Sequence, residues 1–434
     1  MNNTKIPDNF CLAPWLHAMH DTYNVRKLCC ITSSHAITNP TSLEDFKNSD
    51  YAKNVRRMMM DGKLPKDCSY CDSSNDKQGH VNYYKDYFNV NYKEYYEEAL
   101  SKTREDGYTT MDTKSFDYRF GNVCNYKCRH CSSRSSSKIE YEEKQHGIER
   151  AWKDDDVGEV DIDLRHQTLE KELLEAADAG VLGDIQWIGG EPLFSEAHWR
   201  VMTHLSENCD CSDIRLLYIT NLSILEFKGK KLIDLIKPFK GTYIHASIES
   251  GGTAAEYIRT GLNWETWKEN FRTIKNSFTD GDFKICPGIT LTAFSLPGLR
   301  EYLEFLCDEE VHLAGVTMHK PNANNYHLDI DSLGPYKAQW LIEYRALVEE
   351  YKTRLTNSGD QKGYCYSQLI AAADILESQP GLDLDNLSDK ERNELKRSVA
   401  WANKTDSIRP APHTNDVIKD YPFMQEWWTK LNSL

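Results

Sequence analysis

The chain has 434 residues, 40% of them hydrophobic and 27% charged, which describes a globular protein of two or three domains and excludes a disordered or fibrous one. Its 52 Lys and Arg against 67 Asp and Glu give a formal charge of −15. This charge argues against bulk nucleic-acid binding, because phosphate neutralisation requires a basic face. We find neither a signal peptide nor a run of about 18 apolar residues, so the sequence predicts a cytoplasmic protein that does not cross a membrane.

The first group of cysteines lies within the N-terminal 75 residues. A reducing cytoplasm does not favour structural disulfides, so their spacing indicates another role. Four thiolates spread over about 60 residues can hold one iron-sulfur cluster, and they would satisfy zinc equally well. Our predicted ligands are Cys11, Cys29, Cys68 and Cys71, with Cys30 as the alternative to Cys29.

A second group, Cys124, Cys128 and Cys131, has three residues between the first pair and two between the second. Three thiolates on one short loop can hold three corners of a cubane cluster and leave the fourth iron without a local ligand. Zinc is the alternative, but a closed zinc site needs a fourth ligand, and His130 is too constrained between its neighbours to complete a tetrahedron.

Strands and helices alternate after this loop. Buried strands are predicted near residue 116 and at 185–188, 216–221, 243–249, 283–293 and 314–318. Helical periodicity is found between them at 169–179, 232–236 and 264–278. Alternation of this kind predicts a parallel sheet covered by helices. The remaining chain is predicted to be mostly helical, at 333–355 and 368–401.

The cysteine spacing and the strand ends resemble the radical S-adenosylmethionine (SAM) enzymes. The cysteines follow the first strand, the second strand ends in Gly-Gly-Glu-Pro at 189–192, and the fourth ends near Ser247. Two departures are His130, where the family commonly has an aromatic residue, and Glu249 in place of a commoner Asp. The resemblance implies a six-strand partial (β/α)6 barrel of the TIM type, with the cofactors at the carboxyl ends of its strands.

The resemblance also implies the cofactors and their chemistry. Cys124, Cys128 and Cys131 would hold a [4Fe-4S] cluster, and SAM would chelate the fourth iron. An electron from a reductant such as flavodoxin or ferredoxin would cleave SAM, and the resulting 5'-deoxyadenosyl radical would abstract a substrate hydrogen atom. The residues to which it assigns SAM binding are His130, Gly189, Gly190, Glu191, Pro192, Ser247 and Arg259.

The N-terminal cysteines resemble the twitch and SPASM modules that hold auxiliary iron-sulfur clusters in this family. The resemblance lies in Cys-Leu-Ala-Pro-Trp at 11–15, the Cys29–Cys30 pair and the final Cys-x-x-Cys. Such modules usually follow the barrel, whereas this one precedes it. Permutation is tolerated where chain ends lie close together. The resemblance implies an auxiliary cluster, expected to be [4Fe-4S].

We therefore predict four regions: a twitch-like module at 1–80, a linker at 81–115, the partial barrel at 116–321 and a helical region at 322–434. The resemblance implies an oxidoreductase that oxidises, crosslinks or epimerises a peptide. One alternative keeps the machinery but oxidises a sugar or another small polar metabolite. A second alternative is a non-enzymatic iron-sulfur or zinc protein, which would have no use for the Gly-Gly-Glu-Pro turn.

Overall fold

A computed structural model describes residues 6–22, 25–32, 37–38, 42–71, 83–148, 162–278, 282–319, 325–357 and 362–434. The predicted region boundaries at 80–81 and 321–322 lie outside these residues. Within the described chain, no helix combines the length and the apolar character needed to cross a bilayer.

The strands of the described chain form one large sheet and two small two-stranded sheets. They are β1 (His17–His20), β2 (Val25–Lys27), β3 (Ile37–Thr38), β4 (Ser115–Tyr118), β5 (Lys127–Cys128), β6 (Asp184–Trp187), β7 (Arg215–Thr220), β8 (Glu226–Phe227), β9 (Lys230–Lys231), β10 (Gly241–Ser247), β11 (Arg259–Thr260), β12 (Phe283–Leu291) and β13 (Gly315–Met318).

The large sheet has the order β13-β12-β10-β7-β6-β4-β1-β2-β3. Neighbouring strands from β13 to β1 run parallel, and β2 and β3 extend the sheet antiparallel at the β1 edge. The six predicted barrel strands are all present, as β4, β6, β7, β10, β12 and β13. The sequence did not predict β1, which adds a parallel strand from the N-terminal region to the edge of the barrel.

The helices that precede and surround the barrel strands are α1 (Ala13–Leu16), α2 (Leu43–Lys47), α3 (Asp50–Met60), α4 (Tyr83–Asn91), α5 (Tyr96–Ser101), α6 (Ser137–His146), α7 (Ile162–Asp178), α8 (Glu196–Asn208), α9 (Leu232–Ile236), α10 (Gly252–Ile258), α11 (Trp264–Ser277) and α12 (Leu299–Asp308). The C-terminal helices are α13 (Lys337–Glu350), α14 (Lys352–Asn357), α15 (Tyr364–Ser378), α16 (Asp389–Ile408), α17 (Thr414–Ile418) and α18 (Pro422–Asn432).

The two faces of the sheet differ in their side chains. On β7 and β10, fully buried residues alternate with half-buried ones. Leu216 and Ile244 belong to the buried set and join the main hydrophobic core, whereas His245 and Ser247 belong to the half-buried set on the other face. Successive side chains of a strand point to opposite faces, so the half-buried set lines the inside of the partial barrel.

The N-terminal region has a hydrophobic core of its own. Phe10, Trp15, Met59 and Phe88 are among its buried members, and they form a cluster separate from the barrel core. Arg56 is buried beside this cluster and donates to three backbone carbonyls, those of Pro14, Lys47 and Gly107. This region therefore folds around its own core while β1 joins it to the barrel sheet.

The C-terminal helices pack against the barrel through buried tryptophans. Trp340 donates its indole N–H to the carbonyl of Ala293 at 3.0 Å, and the ring of Trp427 lies 5.5 Å from that of Phe294 between centroids. The helical stretch predicted at 368–401 is interrupted between α15 and α16. Pro380 ends the first helix, because it has no amide hydrogen to donate, and Gly381 packs closely against Gly334.

Candidate functional site

The three clustered cysteines lie on a loop that follows β4, here called the cysteine loop (residues 124–131). Its strand β5 pairs antiparallel with β11, so that Cys128 lies opposite Arg259. Cys124 and Cys128 are buried, Cys131 is half-buried, and all three are free thiols. The amide of Cys131 donates to the carbonyl of Cys128 at 3.1 Å. Pairing with β11 therefore fixes the loop at the carboxyl end of the barrel.

Burial raises the pKa of all three thiols in the cysteine loop to about 12. The thiols also raise one another's pKa, Cys131 that of Cys124 and Cys128 that of Cys131, so the three lie close together. Their sulfur atoms nevertheless do not all lie within 4.8 Å of one another. A single zinc ion would need about 3.8 Å between sulfurs. Two buried thiols and one half-buried thiol on one short loop can hold three corners of an iron-sulfur cluster.

The Gly-Gly-Glu-Pro turn after β6 packs directly against the start of the cysteine loop. Gly189 and Gly190 have φ of +87° and +51°, which glycine adopts without strain. A Cβ atom on Gly190 would lie 2.4 Å from the carbonyl oxygen of Val123. The amide of Glu191 donates to that same carbonyl at 2.8 Å. Pro192 is buried and begins a short 3-10 helix. Glycine is therefore required for the close approach of the two backbones.

The carboxylate of Glu191 is held inside the protein. It accepts hydrogen bonds from the amide of Leu193 at 3.0 Å, the hydroxyl of Thr220 at 2.6 Å and the amide of Asn221 at 2.5 Å. Burial raises its pKa to about 7 although these donors favour ionisation. Since Thr220 and Asn221 lie at the end of β7, Glu191 fixes the turn to the neighbouring strand.

Arg259 is paired with Glu249 beside the cysteine loop. Nε and Nη2 of Arg259 donate to the two carboxylate oxygens of Glu249 at 2.5 and 2.6 Å, and Nη1 lies 3.9 Å from Sγ of Cys128. Burial opposes ionisation of Glu249, but Arg259 and His130 outweigh it and lower its pKa. The sequence placed Arg259 near SAM but did not predict this ion pair. Ser247 ends β10 two residues before Glu249, half-buried and opposite Gly288.

Two histidines near this ion pair were missed by the sequence analysis. His245 lies on the inner face of β10 against Gly288, where an added Cβ would be 1.6 Å from its Nε2. His319 follows β13, and its ring packs edge-on against that of His130 at 6.5 Å between centroids. Nε2 of His130 lies 3.7 Å from a carboxylate oxygen of Glu249. The alternation of polar and apolar residues on β10 could have indicated His245, because it places His245 on the same face of the strand as Ser247.

The structure brings the four predicted N-terminal ligands together. Cys11, Cys29, Cys68 and Cys71 line one pocket, together with apolar residues such as Leu28 and Phe88. Cys30 is not among the lining residues. Burial raises the pKa of the Cys30 thiol to about 12. Of the two adjacent cysteines, the geometry favours Cys29 as the ligand.

The spacing of these four thiols bears on which metal they fit. No three of their sulfur atoms lie within 4.8 Å of one another. As in the cysteine loop, that spacing is wider than a single zinc ion requires, at about 3.8 Å between sulfurs. Burial raises the pKa of Cys11, Cys29, Cys68 and Cys71 alike, so each thiolate needs a cation close by to form.

The Radical SAM superfamily model matches residues 118–306, from the end of β4 to α12. The chain therefore contains a Radical SAM superfamily domain, and this domain has the fold of the family's partial TIM barrel. The match supports an enzyme. A comparison with curated proteins found no match.

Solved structures with a similar chain path include Streptococcus suis SuiB bound to S-adenosylmethionine, at 12% identity and a TM-score of 0.35. The similarity covers 70% of this chain and 60% of that one. Another is native anSMEcpe with bound AdoMet, at 14% identity and a TM-score of 0.34, covering 55% of this chain and 60% of that one. This chain thus spans about three fifths of the length of these two structures.

Proposed function

We propose that this protein is a radical SAM enzyme in which Cys124, Cys128 and Cys131 hold a [4Fe-4S] cluster and SAM binds the fourth iron. The observation that carries the proposal is the convergence of three buried or half-buried thiols with the Gly-Gly-Glu-Pro turn and Arg259. When bound, the cluster and SAM supply a 5'-deoxyadenosyl radical that removes a hydrogen atom from the substrate.

The residues of the chain bind and orient these cofactors. The close contact of Gly190 with Val123 holds the turn beside the cysteine loop, and Glu191 fixes that turn to β7. Nε and Nη2 of Arg259 both donate to the carboxylate of Glu249. The remaining nitrogen of the guanidinium, Nη1, is directed toward Cys128. We assign Nη1, with Ser247, to the SAM carboxylate, and the backbone of 189–192 to its amino group. Nε2 of His130 lies 3.7 Å from a carboxylate oxygen of Glu249, and we assign His130 to the adenine of SAM.

The test is formation of 5'-deoxyadenosine from SAM by anaerobically reconstituted enzyme under a strong reductant. The unmodified enzyme is expected to cleave SAM, and Cys128→Ala is expected to abolish cleavage because one cluster ligand is missing. Cys307→Ala is the matched control, since Cys307 is also buried but lies in α12. Cleavage that survives in purified Cys128→Ala would overturn the assignment.

We further propose that Cys11, Cys29, Cys68 and Cys71 hold an auxiliary iron-sulfur cluster of the [4Fe-4S] type. The pocket that all four thiols line supports one shared metal centre. Iron and acid-labile sulfide in the reconstituted enzyme should reach about eight of each per chain. Cys71→Ala should lower both to about four, and Cys30→Ala should leave them unchanged. About four of each with zinc present in the unmodified enzyme would make this module a zinc domain.

The substrate class follows from the resemblance of the N-terminal cysteines to twitch and SPASM modules. We propose a peptide as substrate and oxidation, crosslinking or epimerisation of one residue as the reaction, with flavodoxin or ferredoxin as the reductant. Substrate-dependent 5'-deoxyadenosine release, measured with peptide pools and with sugar pools, tests this choice. Stimulation by the sugars alone would instead support a dehydrogenase of small polar metabolites.

A further inference from the structure

A buried arginine connects the cysteine loop to the C-terminal helix α16. Arg129 follows Cys128, and its side chain is fully buried. Nη1 donates to the hydroxyl of Thr405 at 2.9 Å, and Nη2 donates to the carboxylate of Asp406 at 2.5 Å. Its guanidinium also lies 3.9 Å from the ring centroid of Tyr257. The loop therefore cannot move without breaking buried contacts to a helix about 280 residues later in the chain.

A second buried arginine, Arg409, binds the cysteine loop at Lys127. Arg409 directly follows α16 and donates to the Glu142 carboxylate through Nε at 3.0 Å and Nη2 at 2.6 Å. Its Nη1 donates to the backbone carbonyl of Lys127, one residue before Cys128, at 3.0 Å. Lys127 Nζ also contacts Glu142 at 2.5 Å. The end of α16 thus holds the cysteine loop and the following helix α6 together.

The contact holds two carboxylates, Asp406 paired with Arg129 and Glu142 paired with both Arg409 and Lys127. The positive charge of Arg129 faces Asp406, and that of Arg409 faces Glu142, within a region where the arginine side chains have no solvent exposure. Arg129 directly follows Cys128 in the chain, and Arg409 donates to the carbonyl of Lys127, which directly precedes it, so both cations lie beside this ligand. Removing Asp406 takes away the carboxylate paired with Arg129, whereas removing Arg409 leaves Glu142 paired with Lys127 and lowers the positive charge beside Cys128.

We propose that Asp406 and Arg409 are positioning residues for the cluster, which hold the cysteine loop in place and set the charge that surrounds it. This inference rests on the proposed function. It assigns a role in cluster binding to α16, which lies outside the residues 118–306 that match the Radical SAM superfamily model. Reduction adds negative charge to a cluster, so a more positive surrounding raises its reduction potential and a more negative one lowers it.

The experiment is a redox titration of the cysteine-loop cluster, followed by electron paramagnetic resonance in anaerobically reconstituted enzyme without SAM. Asp406→Asn leaves the charge of Arg129 uncompensated and should shift the potential to less negative values. Arg409→Gln leaves Glu142 with less positive charge and should shift it in the opposite direction. Asp406→Glu keeps the negative charge, so its cluster should have the reduction potential of the unmodified enzyme. Asp374→Asn is the matched control, because Asp374 pairs with Arg345 on the exposed side of α13 and α15.

The outcomes separate this inference from the proposed function. If the unmodified enzyme forms no cluster on Cys124, Cys128 and Cys131, the proposed function fails. If the cluster forms but both variants shift in the same direction, or not at all, the positioning role fails. Loss of the cluster from Asp406→Asn but not from Asp406→Glu would support the role, and loss from both would overturn it in favour of packing alone.

A different observation carries a second inference, a metal site between α7 and α8. Asp178, His204 and Cys209 place one ligand atom each within 4.8 Å of the others. Sγ of Cys209 lies 3.9 Å from Oδ1 of Asp178. A tetrahedral zinc ion would place such sulfur and oxygen atoms about 3.6 Å apart. Asp178 ends α7 and Cys209 follows α8, where helix dipoles favour a cation.

We infer that these three side chains bind one zinc ion, with water at its fourth position. Since α7 and α8 lead into β6 and β7, the site lies at the amino ends of the strands, away from the cysteine loop. Thiolate, imidazole and carboxylate together suit zinc, whereas a hard cation such as Mg²⁺ would not take the thiolate. The bound ion would join the ends of two helices that cover the barrel.

Zinc binding is measured by titrating Zn²⁺ into cluster-reconstituted enzyme and counting tightly bound zinc after desalting. One equivalent is expected in the unmodified protein, and none in Cys209→Ser or His204→Ala. Cys211→Ser is the control, because that sulfur is buried and directed to the carbonyl of Leu205 at 3.4 Å. Equal zinc in Cys209→Ser and the unmodified protein, or no bound zinc in either, would overturn the inference.

Discussion

Tyr92 donates its phenolic O–H to the buried carboxylate of Asp184, across the contact between the N-terminal region and the barrel. Asp184 begins β6, and it also accepts a hydrogen bond from the hydroxyl of Ser115 on β4 at 2.8 Å. Ser115 in turn lies 2.8 Å from Nδ1 of His17 on β1. One carboxylate thus joins two barrel strands to the strand and the tyrosine contributed by the N-terminal region.

Replacing Tyr92 with Phe should weaken this contact. The buried carboxylate would lose one donor, at a cost of about 1–3 kcal/mol in the free energy of unfolding. We expect a lower apparent melting temperature by circular dichroism, with unfolding of the N-terminal region before the barrel. Tyr141→Phe, on the exposed surface of α6, is the control and should change nothing. Equal melting curves for the two variants would contradict the importance of the Tyr92 contact.

The same carboxylate should make stability depend on pH. Burial raises the pKa of Asp184 from 3.8 to about 6, so the folded protein binds this proton more tightly than the unfolded chain does. This group therefore lowers stability as pH rises from 3.8 to about 6. Asp184→Asn removes that contribution, and the variant should gain stability relative to the unmodified protein over this range. Melting temperatures that differ by a constant amount across it would contradict the assignment.

The sequence predicted the parts of the fold that depend on local pattern. Buried strands such as β6 and β7 and the helix α11 lie where their periodicity placed them, because each carries its own apolar run. The cysteine loop was located by its spacing, and the Gly-Gly-Glu-Pro turn by the resemblance to the radical SAM enzymes. The assignment of His130, Ser247 and Arg259 to SAM binding stays a prediction.

Contacts between distant segments could not be predicted in this way. The pairing of Arg129 with Asp406 joins residues 277 positions apart, and nothing in the cysteine spacing around Arg129 points to α16. Strand β1 has only four residues, two of them histidines, which is too short for a periodicity to show, and it lies beside β4 with His17 in register with Ser115. The Arg259–Glu249 pair depends on α10, because Glu249 precedes this helix and Arg259 directly follows it, ten residues later in the chain.

Gly190→Ala should abolish SAM cleavage while the protein stays folded. The added Cβ would meet the carbonyl of Val123 at 2.4 Å and push the turn away from the cysteine loop. Gly229→Ala is the matched control, because Gly229 also has a positive φ, +80°, but no atom within 4 Å of the added Cβ. The backbone strain common to both variants is about 1–2 kcal/mol. Similar loss of 5'-deoxyadenosine formation in both would mean that strain, and not the contact with Val123, is responsible.

Gly288→Ala should displace the imidazole of His245 and reduce SAM cleavage. The added Cβ would lie 1.6 Å from Nε2 of His245, so the ring must move within the barrel, where Ser247 follows two residues later on the same face. Overpacking of this kind costs about 1–3 kcal/mol. Gly315→Ala is the control, since Gly315 pairs with Gly288 on the adjacent strand and has open space around its added Cβ.

A double-mutant cycle identifies the cause of the Gly288→Ala effect. His245→Ala removes the ring that the new methyl group would strike, so adding Gly288→Ala to it should cost much less than the same change in the unmodified protein. Apparent melting temperature and the SAM concentration needed for half-maximal cleavage are measured for all four proteins. If Gly288→Ala has the same effect with and without the imidazole, the clash with His245 is not the cause of the loss of stability or of SAM binding.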